Sequence, residues 1–220
     1  MPSNNTSKDE IIIFALNPPA IAAYVAINPT SGFRPTLMKI IAAIGGKIMK
    51  VVDLSPFLFR EYDLRGVVGD LIDENVAYTL GLNYGSYVQE IGVTKVVIGR
   101  DNRVSSPSLA SALIKGILET GCDVVDLGEV TTPMFYYARY SLKLYAGIMV
   151  TASHNPKEYN GFKMSFTDLG NAYGSLIQEF YKYTLNKQYK NGNGILSTYN
   201  IKEDYLNYFA SNVDINGNIR

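Results

Sequence analysis

Apolar runs alternate with helix-like patterns along the chain from Pro56 onward. Three runs are rich in β-branched residues and too short for helices, namely TKVVIG, CDVVDLG and YAGIMV. Between them, apolar residues recur at helical spacing, as they do on the buried face of an amphipathic helix. Short buried strands that alternate with helices are typical of a layered α/β domain.

Capping residues indicate where the helices should begin and end. Asp73 can cap a helix that runs to about Glu90. Ser106 followed by Pro107 predicts a second start, because a hydroxyl can cap the helix and the proline ring is preset to helical φ. Gly121 is a suitable stop for that helix. Three further helices are expected, over 132–141, 175–185 and 202–213.

The segment GFKMSF alternates between apolar and polar residues. Side chains of an extended strand point to opposite faces in turn. Phe162, Met164 and Phe166 should therefore share one face, with Lys163 and Ser165 on the other. The first face is predicted to be buried.

The net charge and the Cys and His content limit which partners, disulfides and metal sites are expected. Lys and Arg total 20, and Asp and Glu also total 20, so the net charge gives no reason to expect a nucleic acid or an acidic membrane. The single cysteine, Cys122, cannot form an internal disulfide and is predicted to be a buried thiol, which fits a reducing cytoplasm. No Cys or His cluster has zinc-ligand spacing.

The N-terminal segment IIIFALNPPAIAAYVAI is apolar but is interrupted by Asn17, Pro18 and Pro19. Each uninterrupted piece is shorter than the roughly 20 apolar residues that a membrane-spanning helix needs. Asp9 and Glu10 precede it, unlike the basic start of a signal peptide. The pattern argues against a membrane anchor and favours a cytoplasmic protein.

The stretch VTASHNPKEYNGFKM contains the candidate chemistry. Ser153 follows the end of a predicted buried strand, where open α/β sheets tend to bind ligands. Pro156 pushes Asn155 towards extended geometry, and Gly161 lets the chain reverse so that Lys163 can face the same region. Ser153 taken alone is also compatible with an ordinary solvated turn.

Two kinds of chemistry could use Ser153. A hydrolase would need a base, but His154 is the adjacent residue and is expected to point to the opposite side of an extended backbone. The G-x-S-x-G motif of serine hydrolases is also absent from the sequence. A phosphoryl carrier would instead need nearby cations. The candidates for that role are Lys163, Arg65, Arg100 and Arg103.

Three segments resemble ordered signatures of the α-D-phosphohexomutases, a family that includes the phosphomannomutases and phosphoglucomutases. They are FREYDLRG at 59–66, IGRDNRVSS at 98–106 and TASHNPKEYNGFKM at 151–164. The resemblance covers roughly residues 56–185 and implies the fold of the family's first domain. That fold is a three-layer α/β/α unit with a small mixed sheet.

The resemblance also implies roles for individual residues. Ser153 would carry a phosphoryl group and exchange it with the 1 and 6 positions of a hexose phosphate. His154 and Lys163 match residues at the reacting oxygens, and Lys163 is the stronger candidate for proton handling or charge stabilisation. Tyr62 and Arg65 match residues that face the substrate. Three more residues are expected to shape the neighbouring loop, namely Arg100, Asp101 and Arg103.

Parts of the family pattern are missing from this sequence. The family binds Mg²⁺ through an Asp-Gly-Asp-x-Asp-Arg loop in its second domain, and that loop does not occur here. Ser153, through its phosphate, is the metal ligand that the resemblance places in this chain. We therefore expect the chain alone to be inactive, and to be either a truncated gene product or one part of a split enzyme whose remaining domains lie on a separate chain. The alternative is a non-catalytic regulatory or interaction module that keeps the same fold.

The sequence predicts three regions. Residues 1–55 form an N-terminal extension, which is either a genuine part of the protein or an appended segment upstream of a start at Met49. Residues 56–188 form the first domain with the phosphoserine loop. Residues 189–220 are a linker followed by the incomplete start of a second domain.

Overall fold

The structure, a computed structural model, describes residues 13–14 and 49–213. Within these residues a 3-10 turn over Pro56–Leu58 precedes five α-helices. The helices are α1 Glu74–Glu90, α2 Ser106–Glu119, α3 Thr132–Ser141, α4 Ser175–Thr184 and α5 Lys202–Asn212. All five coincide with predicted helices to within two residues at each end.

One mixed sheet forms the centre of the described part of the chain. Its strands are β1 Ile13–Phe14, β2 Leu64–Val67, β3 Lys95–Arg100, β4 Asp123–Glu129, β5 Gly147–Val150, β6 Tyr159–Ser165 and β7 Ile195–Thr198. Their order is β1-β7-β4-β3-β5-β6-β2. The four strands from β7 to β5 are parallel, whereas β1, β6 and β2 pair antiparallel.

Apolar side chains from the sheet enter two separate cores. In β3, Val96 and Ile98 join the larger core beneath α1, α2 and α4, whereas Val97 joins a smaller core beneath α3. Helices therefore cover both faces of the sheet. This confirms the predicted three-layer α/β/α arrangement with a mixed sheet.

The pattern-based predictions for the core are confirmed. Phe162, Met164 and Phe166 are all buried in the larger core. Cys122 is also buried, and this burial raises the pKa of its thiol to about 12. Cys122 is thus a packing residue that stays protonated at neutral pH.

The cap of α2 differs from the prediction. Ser105, not Ser106, occupies the position before the helix, and its side chain makes no capping hydrogen bond. Ser106 is the first helical residue, and its hydroxyl donates to the Asp101 carboxylate instead. The prediction at α1 is confirmed, because Asp73 accepts a hydrogen bond from the Val76 N–H at 2.8 Å.

Helices α1 and α2 approach each other through two glycines. A Cβ atom on Gly81 would lie 2.2 Å from the carbonyl oxygen of Leu113. One on Gly116 would lie 2.2 Å from the carbonyl oxygen of Tyr78. The backbones of α1 and α2 are in direct contact at this crossing, so neither glycine position has room for a side chain.

The chain after the predicted domain boundary continues the same sheet. Strand β7, which the sequence analysis did not predict, pairs in parallel with β4. The polar run before it also contacts the domain, because the Gly192 and Gly194 N–H groups donate to the carbonyls of Glu119 and Leu118. Strand β7 therefore belongs to the same sheet, and the domain boundary at residue 188 stays a prediction. The start of a second domain stays a prediction.

Predictions about the N-terminal segment fall largely outside the described residues. The backbone of β1 pairs antiparallel with β7, and the rest of residues 1–48 is not described. In the part of the chain that is described, no helix has the length and apolar character needed to cross a membrane.

Candidate functional site

A cleft of about 890 Å³ opens where β3 and β5 end. It is lined by residues of the loops that follow these two parallel strands and by Thr132 at the start of α3. The carboxyl ends of parallel strands are where ligands usually bind in open α/β sheets. We call residues 151–158, which follow β5, the serine loop.

Ser153 lies in this cleft with an unusual backbone conformation. Its φ is +56°, in the left-handed region that few residues other than glycine adopt. The Ser153 N–H donates to the Thr151 hydroxyl at 3.0 Å, and the Asn155 N–H donates to the Ala152 carbonyl at 3.1 Å. The tight turn leaves the Ser153 side chain exposed to the cleft. Strained conformations of this kind persist where the surrounding structure holds them.

His154 lies closer to Ser153 than the sequence analysis expected. Its Nδ1 atom is 3.3 Å from the Ser153 hydroxyl oxygen. The expectation that the two side chains point to opposite sides was wrong, because it assumed an extended backbone at Ser153. Among residues 49–213, no carboxylate is hydrogen-bonded to His154, so the third member of a hydrolase triad is not found there.

Arg103 holds the serine loop in place through hydrogen bonds to backbone carbonyls. Its Nη2 donates to the carbonyls of Ser153 at 3.0 Å and Asn155 at 2.7 Å. Its Nη1 donates to the carbonyls of Pro156 at 2.7 Å and Tyr159 at 3.1 Å. One guanidinium therefore satisfies four backbone acceptors of the loop and of the strand that follows it. Arg103 shapes the loop, as the resemblance implies.

A polar network fixes Arg103 in turn. The Asp101 carboxylate accepts the Arg103 Nε–H at 3.2 Å and also the hydroxyl of Ser106. The buried side-chain amide of Asn160 donates to the hydroxyls of Ser105 and Ser106 at 2.8 and 2.9 Å. The loop after β3 and the strand after the serine loop are thus joined through side chains.

Lys163 and Arg65 share one carboxylate. Asp63, which is almost fully buried, accepts the Lys163 Nζ–H at 2.9 Å and also the guanidinium of Arg65 through the same Oδ2 atom. The second amino group of Arg65 donates to the Asn155 side chain in the serine loop. Lys163 and Arg65 are thus connected to the loop, although neither lines the cleft. The sequence analysis missed Asp63.

Two of the candidate residues lie apart from this arrangement. Tyr62 is 67% exposed and does not line the cleft. Arg100 forms a partly exposed ion pair with Glu129 at 3.2 Å instead of contacting the serine loop. Of the predicted residues, the cleft brings together Ser153, His154 and the loop-shaping Asp101 and Arg103.

The described residues do not form a magnesium site by themselves. Mg²⁺ is usually held by carboxylates together with waters or phosphates. The carboxylates that line the cleft belong to Asp101 and Glu158, and both Asp101 oxygens already accept hydrogen bonds. No group of three or more acidic, His or Cys side chains that could hold a metal is found among these residues.

A family model described as "Phosphoglucomutase/phosphomannomutase, alpha/beta/alpha domain I" matches residues 56–190. The chain belongs to this family. The resemblance that rested on three motifs is therefore confirmed, and its first-domain assignment agrees with the observed layers.

Curated relatives named as phosphoglucomutases or phosphomannomutases match about half of the chain. A phosphomannomutase/phosphoglucomutase of Pseudomonas aeruginosa is 46% identical over 115 residues, which are 52% of this chain and 25% of the relative. A phosphoglucomutase of Neisseria gonorrhoeae is 40% identical over 107 residues, 49% of this chain and 23% of the relative. The chain therefore matches about a quarter of the length of these curated relatives.

A solved structure shows the same fold. The crystal structure of a phosphoglucomutase/phosphomannomutase family protein from Burkholderia thailandensis superposes with a TM-score of 0.70 at 36% identity. The match covers 75% of this chain and 38% of that protein. Named relatives in this family are sugar-phosphate mutases, which are isomerases of carbohydrate metabolism.

Proposed function

We propose that this chain provides the phosphoserine domain of a phosphohexomutase and that Ser153 carries the phosphoryl group. The observation that supports this most strongly is the strained, exposed Ser153 in the cleft, with its loop fixed by Arg103. Phosphoryl transfer needs chiefly positioning and charge stabilisation. A rigid loop that presents one hydroxyl supplies the first of these.

The proposed step is an exchange between Ser153 and a hexose bisphosphate. The Ser153 oxygen attacks one phosphorus, the bond from that phosphorus to the sugar oxygen breaks, and a hexose monophosphate leaves. The hydroxyl proton passes to His154, whose Nδ1 is 3.3 Å from the attacking oxygen, and the leaving sugar oxygen takes a proton from water, to which His154 later returns its own. The reverse step returns the phosphoryl group to the other hydroxyl of the sugar.

Positive charge near the loop would stabilise the phosphoserine, which carries about −1.5 to −2 at neutral pH. Lys157 lines the cleft directly. Lys163 and Arg65 share the single carboxylate of Asp63, so their cluster keeps one positive charge in excess. This arrangement favours charge stabilisation as the role of Lys163, with His154 better placed to accept the proton.

The remaining parts of the reaction belong to the proposal as well. The substrate would be a hexose phosphate. Other domains, in a longer protein or on a separate chain, would hold its distant phosphate. Mg²⁺ would take one ligand from the phosphate on Ser153 and the others from outside the described residues. Neither nucleic acid nor a membrane has a place in this scheme, and a cytoplasmic location stays a prediction.

Transfer from phosphorylated chain to a sugar tests the proposal. Chain phosphorylated on Ser153 is mixed with glucose 1-phosphate or mannose 1-phosphate, with and without a polypeptide that carries the remaining domains of a relative. Formation of hexose 1,6-bisphosphate, absent with Ser153→Ala, is the expected result. Release of inorganic phosphate alone under both conditions would contradict the proposal and favour a non-catalytic module.

A further inference from the structure

Asp63 lies where strand pairing directs it to Lys163. Strand β2 pairs antiparallel with β6, with Leu64 opposite Phe162. Continuing that register by one residue places Asp63 opposite Lys163, and the observed ion pair at 2.9 Å joins the two side chains. Directly opposed side chains on one face of a sheet are close enough to interact.

Arg65 follows Asp63 on the same face because side chains two apart in a strand point the same way. Phe162, the residue before Lys163, points into the apolar core on the other face. The alternation of side chains along the strands therefore places Asp63, Arg65 and Lys163 on the same face of the sheet, next to the serine loop. The contact from Arg65 to Asn155 joins this cluster to that loop.

Asp63 is a buried carboxylate, which is uncommon for a charged side chain. Asp63 is 5% exposed, and carboxylates are rarely buried unless they are paired. Its Oδ2 contacts both cations, so removing the negative charge would leave two positive groups facing each other with no anion between them. Lys163 has a flexible four-carbon stem and would lose the contact that holds its ammonium group in one place.

We propose that Asp63 is a positioning residue that holds Lys163 and Arg65 in the arrangement needed for phosphoryl transfer at Ser153. This inference rests on the proposed function of Ser153. Asp63 itself touches neither the phosphoryl group nor the sugar. It acts through Lys163 and through the contact from Arg65 to the serine loop.

The rate of Ser153 phosphorylation is the quantity to measure. The full chain is mixed with glucose 1,6-bisphosphate, Mg²⁺ and a polypeptide that carries the remaining domains of a relative, and phosphoserine is followed over time at several donor concentrations. For Asp63→Asn we expect the maximal rate constant to fall at least about tenfold, since misplacement by about an ångström can cost a hundredfold. The half-saturating donor concentration should stay within about twofold of the unchanged protein.

A matched control and the reaction amplitude separate positioning from loss of folding. Glu129→Gln removes a carboxylate that pairs with Arg100 outside the cluster, and its rate should equal that of the unchanged chain. A variant that merely unfolds would lower the final amount of phosphoserine, whereas misplacement lowers the rate constant at full amplitude. If Asp63→Asn does not fold, Asp63→Glu keeps the charge but shifts it by one methylene, and its rate should still be reduced.

A double-mutant cycle shows whether Asp63 acts through Lys163. In a Lys163→Gln background, Asp63→Asn should slow the reaction by no more than about threefold, because the Lys163 ammonium group is already gone and only the contact through Arg65 remains to be lost. An equal loss in both backgrounds, or an unchanged rate for Asp63→Asn and Asp63→Glu, would overturn the inference. If the unchanged chain is never phosphorylated on Ser153, the proposed function itself fails, and this inference fails with it.

Discussion

The Nη2 atom of Arg103 lies 3.0 Å from the carbonyl oxygen of Ser153, although the two residues are 50 positions apart in the chain. The hydrogen bond is to the backbone of Ser153 and does not involve its hydroxyl, which lies 3.3 Å from His154 Nδ1 in the cleft. The loop at the end of β5 is thereby anchored by a side chain from the loop that follows the neighbouring strand β3. The anchor explains how a non-glycine residue can remain at a φ of +56°.

Loss of the Arg103 anchor should affect both stability and phosphorylation. Arg103→Met removes the donor for four backbone carbonyls, and we expect the free energy of unfolding to fall by about 1–3 kcal/mol. Phosphorylation of Ser153 by glucose 1,6-bisphosphate should slow at least about tenfold, because the loop is no longer held. Urea unfolding and the phosphorylation rate are the two measurements.

Arg100→Met is the matched control for Arg103→Met. Arg100 forms only a partly exposed ion pair with Glu129, so its loss should change stability by less than about 1 kcal/mol. Equal effects of the two substitutions on the phosphorylation rate would show that the hydrogen bonds from Arg103 to the serine loop do not control this rate.

The left-handed backbone conformation of Ser153 predicts an unusual order of stability for glycine and alanine at this position. At a φ of +56°, glycine avoids the steric cost of a Cβ, which is about 1–2 kcal/mol. Ser153→Gly should therefore be more stable than Ser153→Ala, although neither variant can be phosphorylated at this position. Urea unfolding of the two variants gives the difference directly.

Ser108 provides the comparison for that pair. It lies inside α2, where alanine is favoured over glycine by about 1 kcal/mol. Ser108→Ala should be more stable than Ser108→Gly, the reverse of the order at position 153. The same order at both positions would argue against the left-handed conformation of Ser153.

The sequence predicted the main elements because their signals are local. Val96 and Ile98 belong to a short β-branched run, and Asp73 precedes a helical pattern, so each element could be recognised without its partners. Strand β7 was missed because ILST is short and follows a polar run that is typical of a linker. Nothing within such a segment shows that β4 has a free edge to accept it.

The site was only partly predictable because its geometry depends on the fold. The motif identified Ser153 and His154, but their contact depends on a backbone conformation that the sequence does not reveal. Asp63 lies two residues before Arg65, on the same face of the strand, and this spacing was the available signal. Its pairing with Lys163 depends on the register between β2 and β6, which only the structure provides.

Gly116 should tolerate no side chain. Glycine-to-alanine changes inside a helix usually stabilise a protein by about 1 kcal/mol. In Gly116→Ala the new Cβ would meet the Tyr78 carbonyl oxygen at 2.2 Å, so we expect a destabilisation of about 1–3 kcal/mol instead. Thermal or urea unfolding decides the sign, and a stabilised variant would mean that α1 and α2 are farther apart.

Burial of Cys122 predicts a loss of stability at alkaline pH. The thiol has a pKa of about 12 in the folded protein, whereas it titrates near 8.5 when the chain is unfolded. Between these values the unfolded chain has lost a proton that the folded chain keeps, so rising pH favours unfolding by at most about 1.4 kcal/mol per pH unit. This stabilisation is fully present below pH ~8.5.

Comparison with Cys122→Ala isolates the thiol from the tyrosines that titrate in the same range. The variant should lose less stability than the unchanged protein between neutral pH and pH ~11. The native thiol should also react slowly with iodoacetamide at pH ~8, and quickly once the chain is unfolded in urea. Parallel pH profiles for the two proteins, or fast alkylation of the folded chain, would contradict a buried Cys122.

Phosphopeptide mapping tests the central claim most directly. The purified chain is analysed as isolated and after incubation with glucose 1,6-bisphosphate, Mg²⁺ and a polypeptide that carries the remaining domains of a relative, with Ser153→Ala treated in parallel. The account predicts phosphate on Ser153 of the unchanged chain and none on the corresponding peptide of the variant. A folded chain that takes up no phosphate at Ser153, or takes it up at another residue of the cleft, would contradict the account.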